Sequence, residues 1–152
     1  MTASTAPTAL PPLLERLVTH HGAARVDHGS LNAFESRPGD AVLFFCGDPV
    51  RFPEGLDVAV VLPELRAASG RDFAIGVVTR DSEDAIARRY GSQRWPSLVF
   101  LRDGEYLATV CGMKDWTDYV EEVRQALAAT PTRRPSIGIP VVSADGAAAG
   151  CA

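Results

Sequence analysis

The chain is poor in cysteine. Its three cysteines, Cys46, Cys111 and Cys151, stand far apart and are odd in number. They form no C-x-x-C pair, no zinc-ligand spacing and no disulfide framework. Such usage fits a reducing cytoplasm. Long apolar runs are missing as well: none approaches the ~18–20 residues that a membrane span requires. A net charge of −4 leaves no electrostatic footprint for nucleic acid or an anionic membrane. Residues Met1 to Pro12 carry no lysine or arginine and no apolar core. They read as neither a secretory nor a twin-arginine leader, so the protein is expected to stay in the cytoplasm. No Ser/His/Asp order, no H-x-x-x-H and no G-x-x-x-x-G-K-S/T occurs, which removes the common hydrolase, zinc and nucleotide signatures. His20, His21 and His28 make no ligand constellation, and the His20-His21 pair reads as complementing a helix C-terminus. No internal repeat is visible.

What is present suggests a single soluble domain. The 152 residues are 46% apolar and 22% charged, ordinary for a globular protein and enough for one core. Residues 1–9 are predicted to be flexible. Pro11-Pro12 open a helix with an apolar stripe through Leu10, Leu13, Leu14, Leu17, Val18 and His21, closed by Gly22. A short strand at 24–27 and a turn of helix from Ser30 through Phe34 follow. Ala41 to Cys46 is six apolar residues without alternation, the pattern of a strand buried on both faces. A helix over 57–69 contains Pro63, which removes one helix hydrogen bond. A second buried strand spans 73–79, and Ser82 is predicted to cap a helix over 83–90.

Arg94-Trp95-Pro96-Ser97 then feeds into Leu98-Val99-Phe100-Leu101. Proline donates nothing to a ladder, so it belongs at the start of such a strand. Asp103-Gly104 turns the chain into a returning strand over 105–112. A final helix over 115–129 presents Trp116, Tyr119, Val120, Val123 and Leu127 as its apolar face. Strands separated by helices imply a mainly parallel sheet, with the last hairpin antiparallel at one edge.

The proline-led strand, hairpin and helix, together with the prolines at 63 and 96, resemble the thioredoxin family. The predicted fold is therefore α/β and thioredoxin-like: a mixed central sheet flanked by helices, ending in a β-hairpin and helix. The domain covers 10–129, with a C-terminal extension over 130–152. In that family a redox pair of cysteines sits at the N-terminus of the helix after the central strand, where the dipole lowers a thiol pKa. Counting from the strand places the pair on Val50 and Pro53; counting back from Pro63 places it on Gly55 and Val58. The two registers imply an insertion of about five residues within 48–56, and neither finds a cysteine. The buried acid of the family falls on Phe44, so its proton relay is missing. The chain is expected not to be a dithiol oxidoreductase. Cys46 reads either as a small buried hydrophobe or as the thiol of a single-cysteine thiol or peroxide-handling enzyme. The second reading lacks a nearby lysine or histidine in the sequence.

The segments DVAVVLPEL (57–65), RRYGSQRWPSLVFLRDGEYL (88–107) and PSIGIPV (135–141), with the missing cysteine pair, resemble the HyaE/HupG/HoxO family of nickel–iron hydrogenase expression proteins. The resemblance implies a cytoplasmic assembly factor that is not an enzyme and needs no cofactor or metal. It implies a chaperone holding the hydrogenase small-subunit precursor and its twin-arginine signal peptide before export, beside a second dedicated chaperone, and guarding cofactor assembly. A redox-inactive interaction module of another complex remains the alternative. The candidate peptide-binding residues are Trp95, Pro96 and Ser97, with Asp48, Glu54 and Asp57 offering a docking surface for a basic peptide. Arg51 and Arg94 oppose that acidic reading, and the same carboxylates also complement a helix N-terminus. In the tail, Ile137, Ile139 and Val141 alternate like a strand and are candidates for docking on this fold, a partner or a second copy.

Overall fold

A computed structural model describes residues 10–134. The tail candidates Ile137, Ile139 and Val141 lie outside the described residues, as does Cys151. The chain runs α1 (Pro12–His21), β1 (Ala24–Val26), α2 (Leu31–Glu35), β2 (Asp40–Phe45), α3 (Glu54–Ser69), β3 (Ala74–Val78), α4 (Arg80–Arg89), β4 (Ser97–Arg102), β5 (Glu105–Cys111) and α5 (Trp116–Ala128). The strands lie in the order β1-β3-β2-β4-β5. β1, β3 and β2 are parallel, and β4 and β5 complete the sheet antiparallel. This is the mixed α/β sheet that the order of elements implied, in the thioredoxin-like arrangement that the resemblance implied.

The unbroken apolar run of β2 is explained by its central place. Val42, Phe44 and Cys46 join one core with α1, α3 and α5. Ala41, Leu43 and Phe45 join the other, with Leu31 and Phe34 of α2 and Ile86, Ala87 and Tyr90 of α4. A strand buried on both faces needs apolar residues at every position. Gly76, on β3, is the close approach on the second face: a Cβ there would lie 2.7 Å from the Phe34 ring. The β4–β5 hairpin turns at Asp103 (φ 52°) and Gly104 (φ 82°), two positive-φ positions suited to a tight two-residue turn.

Three expectations are corrected. α3 starts at Glu54 rather than 57. α4 starts at Arg80, not 83, because Ser82 is not a cap: it is 1% exposed, and its Oγ accepts the His28 N–H at 3.2 Å. Finally, Trp116 is 48% exposed, while Tyr119, Val123 and Leu127 form the buried stripe. It occupies the first position of α5, at the end of the helix where little of the domain covers it. After α5 the chain returns to the sheet edge, where the Thr132 N–H donates to the Tyr106 carbonyl at 2.9 Å.

Candidate functional site

α3, which leaves β2, packs on one face of the sheet, and α4, which leaves β3, packs on the other. Such a switch point leaves a crevice beyond the carboxyl ends of the strands. A cleft of about 490 Å³ lies there, lined by Gly47, Asp48, Arg51, Phe52, Arg80, Asp84, Gln93, Arg94 and Trp95.

Gly47 makes the turn out of β2. Its φ of +82° disfavours a side chain, and a Cβ would come within 2.8 Å of the Trp95 side chain and 3.0 Å of Phe52. The Phe52 ring stacks beside Trp95, with centroids 6.0 Å apart. The Arg51 guanidinium lies 5.4 Å from the centre of the Phe52 ring. Asp48 orders the loop, its Oδ1 accepting the Val50 N–H at 2.9 Å and its carbonyl the Phe52 N–H at 2.7 Å.

On the opposite wall the Trp95–Pro96 peptide is cis. Trp95 is half-buried and Pro96 buried. Among the described residues the main chain of Trp95 makes no hydrogen bond and its buried Nε1 has no partner. Ser97 is 1% exposed, and its hydroxyl is paired with that of Ser92 at 3.0 Å. The Pro96 carbonyl accepts the Gly112 N–H at 2.8 Å, tying this wall to the end of β5.

Under the cleft lies a buried acid that sequence reasoning missed. Glu83, in α4, is 0% exposed. Its Oε2 accepts the Gly47 N–H at 2.9 Å, and its Oε1 accepts from the Arg80 guanidinium at 2.7 Å. Burial raises its pKa above the ordinary carboxylate range, against the lowering effect of those two donors. A signal was available: Glu83, Ile86, Ala87 and Tyr90 share one helical stripe, and the last three are apolar or aromatic. Phe44, where the thioredoxin register placed the strand acid, is buried in the core with α1, α3 and α5; the buried carboxylate here comes from α4 and holds the turn after β2.

Cys46 is the free cysteine among the described residues and is 2% exposed. Burial pushes its thiol up to about 12, the negative charge of Glu83 pushes in the same direction, and Arg80 offsets part of this. Gly55, in the first turn of α3, packs directly on it: a Cβ there would reach 2.7 Å from Sγ. A thiol so placed stays protonated and is shielded from solution, the opposite of a redox nucleophile. Of the positions where the two registers placed the cysteines, Val50 is 89% exposed and Val58 0% exposed.

The structure brings Asp48 and Trp95 together in the cleft. Glu54 and Asp57 are exposed on the first turn of α3 and do not line it. Arg80, Asp84 and Gln93 enter the wall instead, so the cleft is of mixed charge rather than acidic. Among the described residues, no group of three or more His, Cys, Asp or Glu side chains is arranged to hold a metal ion. None of the described helices is long and apolar enough to cross a membrane.

Comparison with known proteins adds to this geometry. The family model described as "Hydrogenase-1 expression protein HyaE" matches residues 13–119. The hydrogenase expression/formation protein HoxO of Cupriavidus necator is 57% identical over 138 residues, which cover 90% of this chain and 86% of the relative. The hydrogenase expression/formation protein HupG of Bradyrhizobium diazoefficiens is 38% identical over 130 residues, 82% of this chain and 87% of the relative. Among solved structures, a mutant thioredoxin from Halobacterium salinarum superposes with a TM-score of 0.56. The match covers 72% of this chain and 94% of that one at 22% identity, a likeness of fold alone.

Proposed function

The chain belongs to the HyaE family of hydrogenase expression proteins, and on that premise we propose that it is a non-catalytic maturation chaperone for the nickel–iron hydrogenase small-subunit precursor. It binds the precursor, through the subunit or its twin-arginine signal peptide, in the cytoplasm before export, and guards cofactor assembly. It acts beside a second dedicated chaperone.

The observation that carries the reading is the Trp95–Pro96 wall standing over an inert thiol. The Trp95 main chain is without a hydrogen-bond partner among the described residues, so an extended segment laid beside it gains hydrogen bonds, and the half-buried ring adds an aromatic contact. Chemistry on that segment finds no support, because Cys46 is buried and its thiol is raised to about 12. A thiol-dependent enzyme needs the reverse.

The test is co-purification of the tagged full chain with the cognate small-subunit precursor, made with and without its leader. Capture that depends on the leader supports signal-peptide recognition. Capture of both forms moves the contact to the mature subunit. Capture of neither, with soluble precursor present, refutes the proposal.

A further inference from the structure

The cleft at Trp95 does not end at Trp95. Arg94 and Trp95 also line a second depression, of about 300 Å³, which includes Met113, Lys114 and Glu122. Those three residues line a third, of about 460 Å³, with Asp115, Asp118 and Glu121. Shared walls set the three side by side, and together they form a grooved face that runs from the β2–α3 loop, past the cis-proline wall, to the first two turns of α5.

The two ends of this groove differ in chemistry. At the Trp95 end, the Arg80 charge is matched by buried Glu83, and Arg51 and Arg94 line the same cleft as Asp48 and Asp84, so both signs of charge are present around two aromatic rings. At the α5 end, Lys114 pairs with Glu122 at 3.3 Å. Asp115, Asp118 and Glu121 are exposed there and have no cationic partner among the described residues. Met113 and Trp116, 41% and 48% exposed, place apolar surface beside those carboxylates. Exposed apolar side chains next to unpaired charge of one sign suit an occupant with the opposite charge on an apolar stretch.

We propose that this groove docks an extended peptide in which a cluster of basic residues adjoins an apolar stretch. The basic residues lie over Asp115, Asp118 and Glu121, and the apolar stretch lies across Met113 and Trp95. The inference rests on the precursor-binding reading above and adds to it where on this chain each part of a leader sits. It moves the acidic contact from the α3 loop, the site that Asp48, Glu54 and Asp57 suggested in the sequence, to α5.

The experiment is a binding titration of the full chain with a fluorescein-labelled synthetic peptide carrying the leader of the cognate small subunit. A second peptide has its paired arginines replaced by glutamine. Asp118→Lys combined with Glu121→Lys should weaken the arginine peptide by about tenfold or more. The same pair should leave the glutamine peptide within about twofold, since the charge it would have met is already gone. Both positions are exposed, so circular dichroism and urea unfolding should match the parent. If the double variant binds the arginine peptide as the parent does, the α5 site is refuted while the chaperone reading stands. Loss of affinity on reversing Glu54 and Asp57 instead also refutes it, in favour of the α3 surface. If the parent binds neither this peptide nor the whole precursor, both readings fall together.

Discussion

Replacing Glu83 by alanine removes the acceptor on which the turn after β2 is hung. The Gly47 N–H is buried and donates to Glu83 at 2.9 Å, so the substitution leaves it unpaired, a cost of about 1–3 kcal/mol. The lost methylene and carboxylate leave unfilled space worth about 1 kcal/mol more. Arg80 adds little, because its side chain is 44% exposed and turns to water. The sum is about 2–4 kcal/mol. With a urea dependence of about 2 kcal/mol per molar, the unfolding midpoint followed by circular dichroism at neutral pH should fall by about 1–2 M. Glu83→Gln keeps an acceptor for Gly47 and should lose about 1 kcal/mol or less. The pH trend has a defined sign. Burial raises the Glu83 pKa in the folded state, so the folded chain holds this proton to higher pH than the unfolded chain. The stability it contributes is full below the ordinary carboxylate pKa and is lost as pH rises through the raised value. The parent's stability measured against Glu83→Gln should therefore decline as pH rises above the ordinary carboxylate value. An alanine variant whose midpoint stays within about 0.3 M of the parent would refute the account of the turn. An opposite pH trend would show that Gly47 and Arg80, not burial, govern the carboxyl.

Gly47→Ala meets both a φ of +82° and Trp95 at 2.8 Å, so a loss of about 2–5 kcal/mol is expected from strain and overpacking, read by thermal unfolding together with tryptophan fluorescence. In Gly55→Ala the added methyl overlaps the Cys46 carbonyl oxygen, which is backbone and cannot swing aside. That variant should lose about 1–3 kcal/mol although alanine favours helix, and a stabilised variant would contradict the packing. The Cys46 thiol, raised to about 12, should be only about one part in ten thousand thiolate at pH 8. Iodoacetamide should leave the Cys46 peptide unmodified in the folded chain and label it in urea, as read by peptide mass. Rapid labelling of the folded protein would revive the single-cysteine enzyme.

The order of all ten elements was legible in the sequence because each is set by a local period and a stop. Gly22 and Gly104 sit at positive φ where those stops were read. The double-faced burial of β2 was legible for the same reason. Helix starts were less so. A stripe such as Glu83, Ile86, Ala87 and Tyr90 says which face turns inward, but not how many polar residues precede it in the first turn. That is why Ser82 read as a cap when it is a buried bond to the α2 approach. Trp116 shows the converse: it keeps the helical period of α5, yet lies beyond what the domain covers.

The sequence by itself determined the α/β order, the antiparallel closing hairpin, the absence of a C-x-x-C motif and the proline that opens β4. Each depends on residues within a few positions of one another. Only the tertiary structure decided what the cleft contains. It joins Gly47 to Glu83 across 36 residues, sets Phe52 beside Trp95, and buries a carboxylate from α4 against the turn that follows the central strand. Whether a carboxylate is buried or exposed depends on what other elements lay over it, and no local period carries that information. So Glu54 and Asp57, prominent in the sequence, stand outside the cleft, while Glu83, which the sequence reading did not single out, lies beneath it.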